Sequence, residues 1–85
     1  MKQLAWTRPA WEDYLHWQAT DKAMLKRVNA LIQDMLRTPL TGLGKPEPLK
    51  FDLSGNYSRR INAEHRLVYR VRGETVVILQ CRYHY

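Results

Sequence analysis

The chain has 85 residues, and its 14 lysines and arginines against 8 aspartates and glutamates give a formal charge of +6 and a pI near 9.8. A chain of this length buries only ~60–65% of the surface its unfolded form exposes, so residues 1–85 are read as one domain around one small core. The apolar runs fall short of the ~20 residues that cross a bilayer, the N-terminus lacks the apolar centre of a signal peptide, and the single cysteine excludes an internal disulfide, so a cytoplasmic protein is expected.

Lys2–Trp6 reads as a short strand. Thr7 then caps a helix whose first turn tolerates Pro9 and sets Glu12 and Asp13 near the positive end of its dipole. Trp11, Tyr14, Leu15 and Gln18 share one face of it, to about Ala19. Thr20 or Asp21 caps a second helix, in which Leu25, Val28, Leu31, Ile32, Met35 and Leu36 form a stripe of helical period. Thr38–Pro39 ends it, because a residue before proline avoids the helical region. Lys22, Lys26, Arg27 and Arg37 fall mostly outside the stripe, on a solvated basic face. Residues 39–50, PLTGLGKPEPLK, carry three prolines and two glycines and predict a shaped loop without regular structure. From Leu53 the period becomes two. Tyr57–Ile61, His65–Val71 and Thr75–Tyr83 read as antiparallel strands joined at Asn62–Glu64 and Arg72–Glu74. The fold class is α+β: an N-terminal strand, two helices packed on one sheet face, then a β-meander.

Strand alternation sorts the side chains. Val77, Leu79, Cys81 and Tyr83 point one way, and a three-residue turn at 72–74 sets them with Leu67, Tyr69 and Val71 as the core face. Gln80, Arg82 and His84 then group with Arg66 on the other face. A three-residue turn at 62–64 places Arg60 opposite Arg66. Like charges across a strand pair are unfavourable, so two facing arginines call for an anion or a carboxylate between them. Cys81 is read as a buried thiol, His16 and His65 as packing residues, and Trp6, Trp11 and Trp17 as core or partner surface. Tyr57, Tyr83 and Tyr85 are placed near the basic face, within reach of nucleic-acid bases. Three histidines and one cysteine lack zinc-ligand spacing, and no metal or other cofactor is expected.

The polar face thus collects Arg60, Arg66 and Arg82, with His84 at its edge, and the loop adds Lys45, Glu47 and Lys50. Pro46 and Pro48 stiffen the backbone on either side of Glu47. Cutting RNA through its own 2′-hydroxyl requires a base for the hydroxyl proton, an acid for the leaving 5′-oxygen, and cations for the phosphate. Glu47 and His84 can move the protons; Arg66, Lys50 and Arg60 can supply the charge. The residues alone do not assign base and acid between Glu47 and His84. The positive charge alone fits nucleic acid, an anionic membrane surface or an acidic protein segment, and a non-catalytic nucleic-acid or ribosome-binding module is the alternative to an enzyme.

GKPEPLK (Gly44–Lys50), LSG (Leu53–Gly55), SRRI (Ser58–Ile61), EHRLVY (Glu64–Tyr69) and CRYHY (Cys81–Tyr85) together resemble the YoeB toxins of bacterial toxin–antitoxin pairs, in the RelE superfamily. The likeness extends over essentially the whole chain, including WEDYLHWQ (Trp11–Gln18) and RTP (Arg37–Pro39). It implies a microbial-ribonuclease-like fold and a metal-independent endoribonuclease that cuts messenger RNA in the ribosomal A site. It further implies a cognate acidic antitoxin of YefM type and a homodimer, with no membrane partner. On the residues, it implies Glu47 as general base, His84 as general acid and Arg66 as transition-state stabiliser. Lys50, Arg60 and Tyr85 would then support phosphate binding and geometry, with Arg82 and Lys45 as further substrate contacts. Asn56–Tyr57 departs from the family's usual apolar residue and tryptophan.

Overall fold

Thr7 turns the chain from its first strand into its first helix. In the computed structural model, which describes residues 3–49 and 55–83, β1 (Gln3–Trp6) is followed by α1 (Arg8–Thr20). Thr7 Oγ1 accepts the Ala10 N–H at 3.3 Å and donates to the Leu79 carbonyl at 3.1 Å, so a single cap also ties the helix start to the sheet. α2 (Lys22–Arg37) begins at once, because Asp21 adopts an extended backbone and its Oδ1 accepts the N–H groups of Ala23 and Met24, both at 3.1 Å. Asp21→Ala leaves those two donors without a side-chain acceptor. The expected cost is about 1 kcal/mol, read as a fall of ~4–8 °C in the thermal midpoint of a domain this size.

β2 (Glu47–Pro48), β3 (Asn56–Arg60), β4 (Arg66–Arg72) and β5 (Thr75–Gln80) complete a five-stranded mixed sheet in the order β1-β5-β4-β3-β2. β1 runs parallel to β5 and the other neighbours are antiparallel. Val28, Leu31, Ile32 and Met35 of α2, with Ala10 and Trp17 of α1, pack against Leu67, Tyr69, Val76, Ile78 and Cys81. The helices therefore cover one face of the sheet, as their apolar stripes require. Among the described residues, no helix is long and apolar enough to cross a membrane.

Three expectations are corrected by the sheet. Residues 39–50 are not wholly irregular: Glu47 and Pro48 form a short edge strand, paired with Ser58 and Tyr57, where prolines do no harm because an edge strand leaves one set of backbone groups unpaired. The β4–β5 turn has two residues, since Arg72 faces Thr75 across Gly73–Glu74. Val76 and Ile78, not Val77 and Leu79, consequently enter the core. A β-bulge follows: Val68 faces Gln80 while Tyr69 faces Ile78, leaving Leu79 as the extra residue. The bulge restores the parity that the shorter turn removed, so Gln80 and Cys81 point as expected. Finally, β5 ends at Gln80. Tyr83 does not continue the core set; it is 58% exposed with φ 66°.

Candidate active site

Glu47 sits on the edge strand because Pro48 ↔ Tyr57 and Glu47 ↔ Ser58 pair β2 to β3. Antiparallel partners share a face, so register builds a row across the sheet: Glu47, Ser58, Val68, Gln80. Arg60 and Arg66 form the next row, directly opposite one another, as the three-residue turn at 62–64 requires. That turn is closed by Asn62, whose Oδ1 accepts the N–H groups of Glu64 and His65, both at 2.8 Å. Of the two facing arginines, Arg66 has a carboxylate partner. Arg66 Nη1 donates to Glu47 Oε1 at 3.2 Å and to Ser58 Oγ at 3.2 Å. The Arg66 side chain is 14% exposed and that of Glu47 53%. A guanidinium held from beneath by a buried serine thus presents an accessible carboxylate at the surface, beside the exposed Arg60.

The loop that carries Glu47 is held by a residue that strand alternation placed in plain view but sequence reasoning passed over. Tyr57, Arg59 and Ile61 share the helix side of β3, so an arginine lies among core residues, fully buried. All five of its N–H groups are used. Nε donates to Tyr69 Oη at 3.1 Å, Nη1 to Asp34 Oδ2 at 2.8 Å and the Leu43 carbonyl at 3.0 Å, and Nη2 to the carbonyls of Thr38 at 2.7 Å and Thr41 at 2.9 Å. Tyr69 Oη in turn donates to the Pro39 carbonyl at 2.6 Å, and Asp34 Oδ2 accepts the Leu43 N–H at 2.9 Å. Residues 38–43 are thereby wrapped around one guanidinium. Gly42 and Gly44 allow it. A Cβ on Gly42 would collide with Asp34 Oδ2, and one on Gly44 would lie 3.0 Å from the Arg60 carbonyl, with φ of +111° and +78° respectively. The Gly44 carbonyl accepts the Arg60 N–H at 2.7 Å, which joins the loop to the strand of the site.

The Arg59 guanidinium and the Leu43 N–H hold the Asp34 carboxyl below its ordinary 3.8. A depressed folded value means that the ionised carboxylate stabilises the fold at pH above 3.8, and that this contribution disappears as pH falls through the lowered value. The urea midpoint of the parent should therefore decline on acidification below about pH 4, while Asp34→Asn, already weaker at neutral pH, should show a flatter decline. Equal slopes for the two proteins would remove Asp34 from the acid transition. Burial pushes the Cys81 thiol up to about 12, with the Asp13 carboxylate adding to the shift, in keeping with its place in the core.

Of the site residues expected from sequence, Glu47, Arg60 and Arg66 are brought together. Lys45 is exposed two residues before Glu47, with φ 53°. Arg82 is placed differently from expectation: once β5 ends, alternation no longer applies, and its guanidinium lies over the rings of Tyr83 at 4.6 Å and Trp17 at 6.0 Å. Lys50, His84 and Tyr85 lie outside the described residues. Tyr57 is on the helix side, stacked on Tyr69 at 5.9 Å, and not near the basic face. Its neighbour Asn56 is buried, and its Oδ1 accepts Arg70 Nε at 2.6 Å, so the departure at 56–57 is absorbed by a cross-strand hydrogen bond and a ring stack.

The same architecture recurs in solved structures. The YoeB dimer from Staphylococcus aureus matches with a TM-score of 0.92 at 47% identity, covering 99% of this chain and 98% of that one. The heterotetrameric YoeB–YefM toxin–antitoxin complex from the same species matches with a TM-score of 0.89 at 46% identity, covering 100% and 99%. The fold is thus that of the RelE-like toxins. A family profile, YoeB-like toxin of bacterial type II toxin-antitoxin system, matches residues 6–85. Toxin YoeB of Escherichia coli is 57% identical over 83 residues, 98% of this chain and 99% of that protein. The chain belongs to the YoeB-like toxins of bacterial type II toxin–antitoxin systems.

Proposed function

We propose that this toxin is a ribosome-dependent endoribonuclease that cuts messenger RNA in the A site without a metal and so stops translation in the cytoplasm. The observation that carries the reading is the accessible Glu47 carboxylate, held 3.2 Å from Arg66 on a basic sheet face. Glu47 takes the proton of the 2′-hydroxyl. That oxygen attacks the adjacent phosphorus, the bond from phosphorus to the 5′-oxygen breaks, and His84 protonates the leaving oxygen. Arg66 can exchange its contacts with Glu47 and Ser58 for the non-bridging phosphate oxygens, stabilising charge as it develops. Arg60 and Lys50 hold the phosphates, with Lys45, Arg82 and Tyr85 contacting flanking RNA. The products are a 2′,3′-cyclic phosphate and a 5′-hydroxyl.

A small face with few contacts orients a flexible chain poorly, and the ribosome supplies that order to the message. Cutting of free RNA should therefore be weak. An antitoxin of YefM type and a homodimer are the expected partners, as the solved YoeB–YefM complex and YoeB dimer of relatives support; an acidic antitoxin would on charge grounds cover the same basic face. The test is to programme purified ribosomes with a short message, add the toxin with and without a chelator, and map the ends. Cleavage in the A-site codon that survives chelation and is lost in His84→Gln supports the reading. An intact message, with salt-sensitive binding that Glu47→Ala leaves in place, supports the binding module instead.

A further inference from the structure

Tyr83 is held in a left-handed backbone conformation, φ 66°, which a tyrosine seldom adopts. Two consecutive residues of the β3–β4 hairpin grip it. The Tyr83 N–H donates to His65 Nδ1 at 2.7 Å, and the Tyr83 carbonyl accepts the Arg66 N–H at 2.9 Å. Two residues upstream, α1 fixes the preceding peptide groups: Asp13 Oδ2 accepts the Cys81 N–H at 3.1 Å and Trp17 Nε1 donates to the Cys81 carbonyl at 2.8 Å. The His65 ring is itself set edge-on against Trp17 at 4.9 Å and tilted against Tyr83 at 5.8 Å. An Nδ1 that accepts a hydrogen bond carries no proton, so the ring proton belongs on Nε2.

We infer that His65 is a positioning residue. Its Nδ1 holds the peptide of Tyr83, the residue before His84 in the sequence, in the left-handed conformation. The neighbouring Arg66 bonds the other side of Tyr83 through its backbone and Glu47 through its side chain. The dipeptide His65–Arg66 therefore ties the carboxylate–guanidinium pair to Tyr83. The inference rests on the nuclease reading for the role of His84, while the bond to Tyr83 can be read without it.

Two variants separate acceptor from packing. His65→Asn puts Oδ1 where Nδ1 stood and removes most of the ring; His65→Leu keeps an apolar side chain against Trp17 and removes the acceptor. Each is examined by hydrogen exchange at the Tyr83 amide and by single-turnover cleavage on programmed ribosomes, with thermal melts to confirm folding. If the acceptor positions Tyr83, His65→Leu exposes the Tyr83 amide and lowers turnover by about 10–100-fold with little change in apparent ribosome affinity, and His65→Asn restores most of both. The inference is overturned if Leu behaves as the parent while Asn fails, or if the Tyr83 amide exchanges freely in the parent. A parent that protects this amide but leaves the message intact contradicts the nuclease reading instead, and the ranking of amide protection still decides the role of His65.

Discussion

Glu47→Gln is expected to slow cleavage on the ribosome by about 10²–10⁴-fold, the usual worth of a positioned proton-transfer group, equivalent to ~3–5 kcal/mol of barrier. Glutamine keeps an oxygen able to accept from Arg66 but cannot take the hydroxyl proton. Binding to the ribosome should then change little and the loss should appear in turnover, as expected for an interaction made only in the transition state. Arg66→Lys should also fall steeply: Nη1 serves both Glu47 and Ser58, and a lysine ammonium cannot offer a phosphate the planar two-nitrogen fork of a guanidinium. A Glu47→Gln protein that cuts at the parental rate would show that the carboxylate only balances charge.

The largest effect on stability is expected at Arg59. Arg59→Met removes one buried guanidinium and leaves Asp34, Tyr69 and the carbonyls of Thr38, Thr41 and Leu43 short of a donor. Breaking a buried pair in this way costs ~3–5 kcal/mol. At ~4–8 °C per kcal/mol for a domain of this size, the melting midpoint should drop by well over ~10 °C. Arg59→Lys should recover only part, since three donors on one nitrogen cannot serve acceptors arranged around a five-donor fork. The loop between α2 and β2 should loosen first, seen as faster exchange at Leu43 and Arg60, whose N–H groups bond Asp34 and Gly44. A melting midpoint close to the parent's for Arg59→Met would mean that the loop is held by its glycine and proline conformations, not by the guanidinium.

Local chemistry made much of this fold legible in the sequence. Thr7, Asp21 and Thr38–Pro39 mark helix ends by capping and steric rules that act within a few residues, and the helices fall between them. The pairing of Arg60 with Arg66 followed from counting through the Asn62 turn. Features that depend on distant partners were harder to read. The bulge at Leu79 stands where the Thr7 hydroxyl and N–H meet the Leu79 and Ile78 carbonyls, a contact across most of the chain. The edge strand at Glu47–Pro48 exists because β3 offers a partner, which the prolines conceal locally. Arg59 is a clear signal in the sequence. Its parity with Tyr57 and Ile61 put a charge into the core, and such a charge demands partners; Asp34 and the loop carbonyls supply them. Alternation ends with β5 at Gln80, so Arg82 and Tyr83 do not take the faces it predicts.

The chemistry proposed for Glu47 and Arg66 begins with the message's own 2′-hydroxyl, and a message can be made that lacks it at a single position. Ribosomes should be programmed with paired messages, identical except for one 2′-deoxynucleotide immediately 5′ of the mapped cut, and followed through a single turnover. The account expects the all-ribose message to be cut to a 2′,3′-cyclic phosphate and a 5′-hydroxyl, and the deoxy-substituted message to remain intact at that bond while the toxin binds both complexes alike. Cleavage of the deoxy-substituted bond at a comparable rate would contradict it, because the nucleophile would then come from elsewhere and Glu47 would have no hydroxyl proton to take.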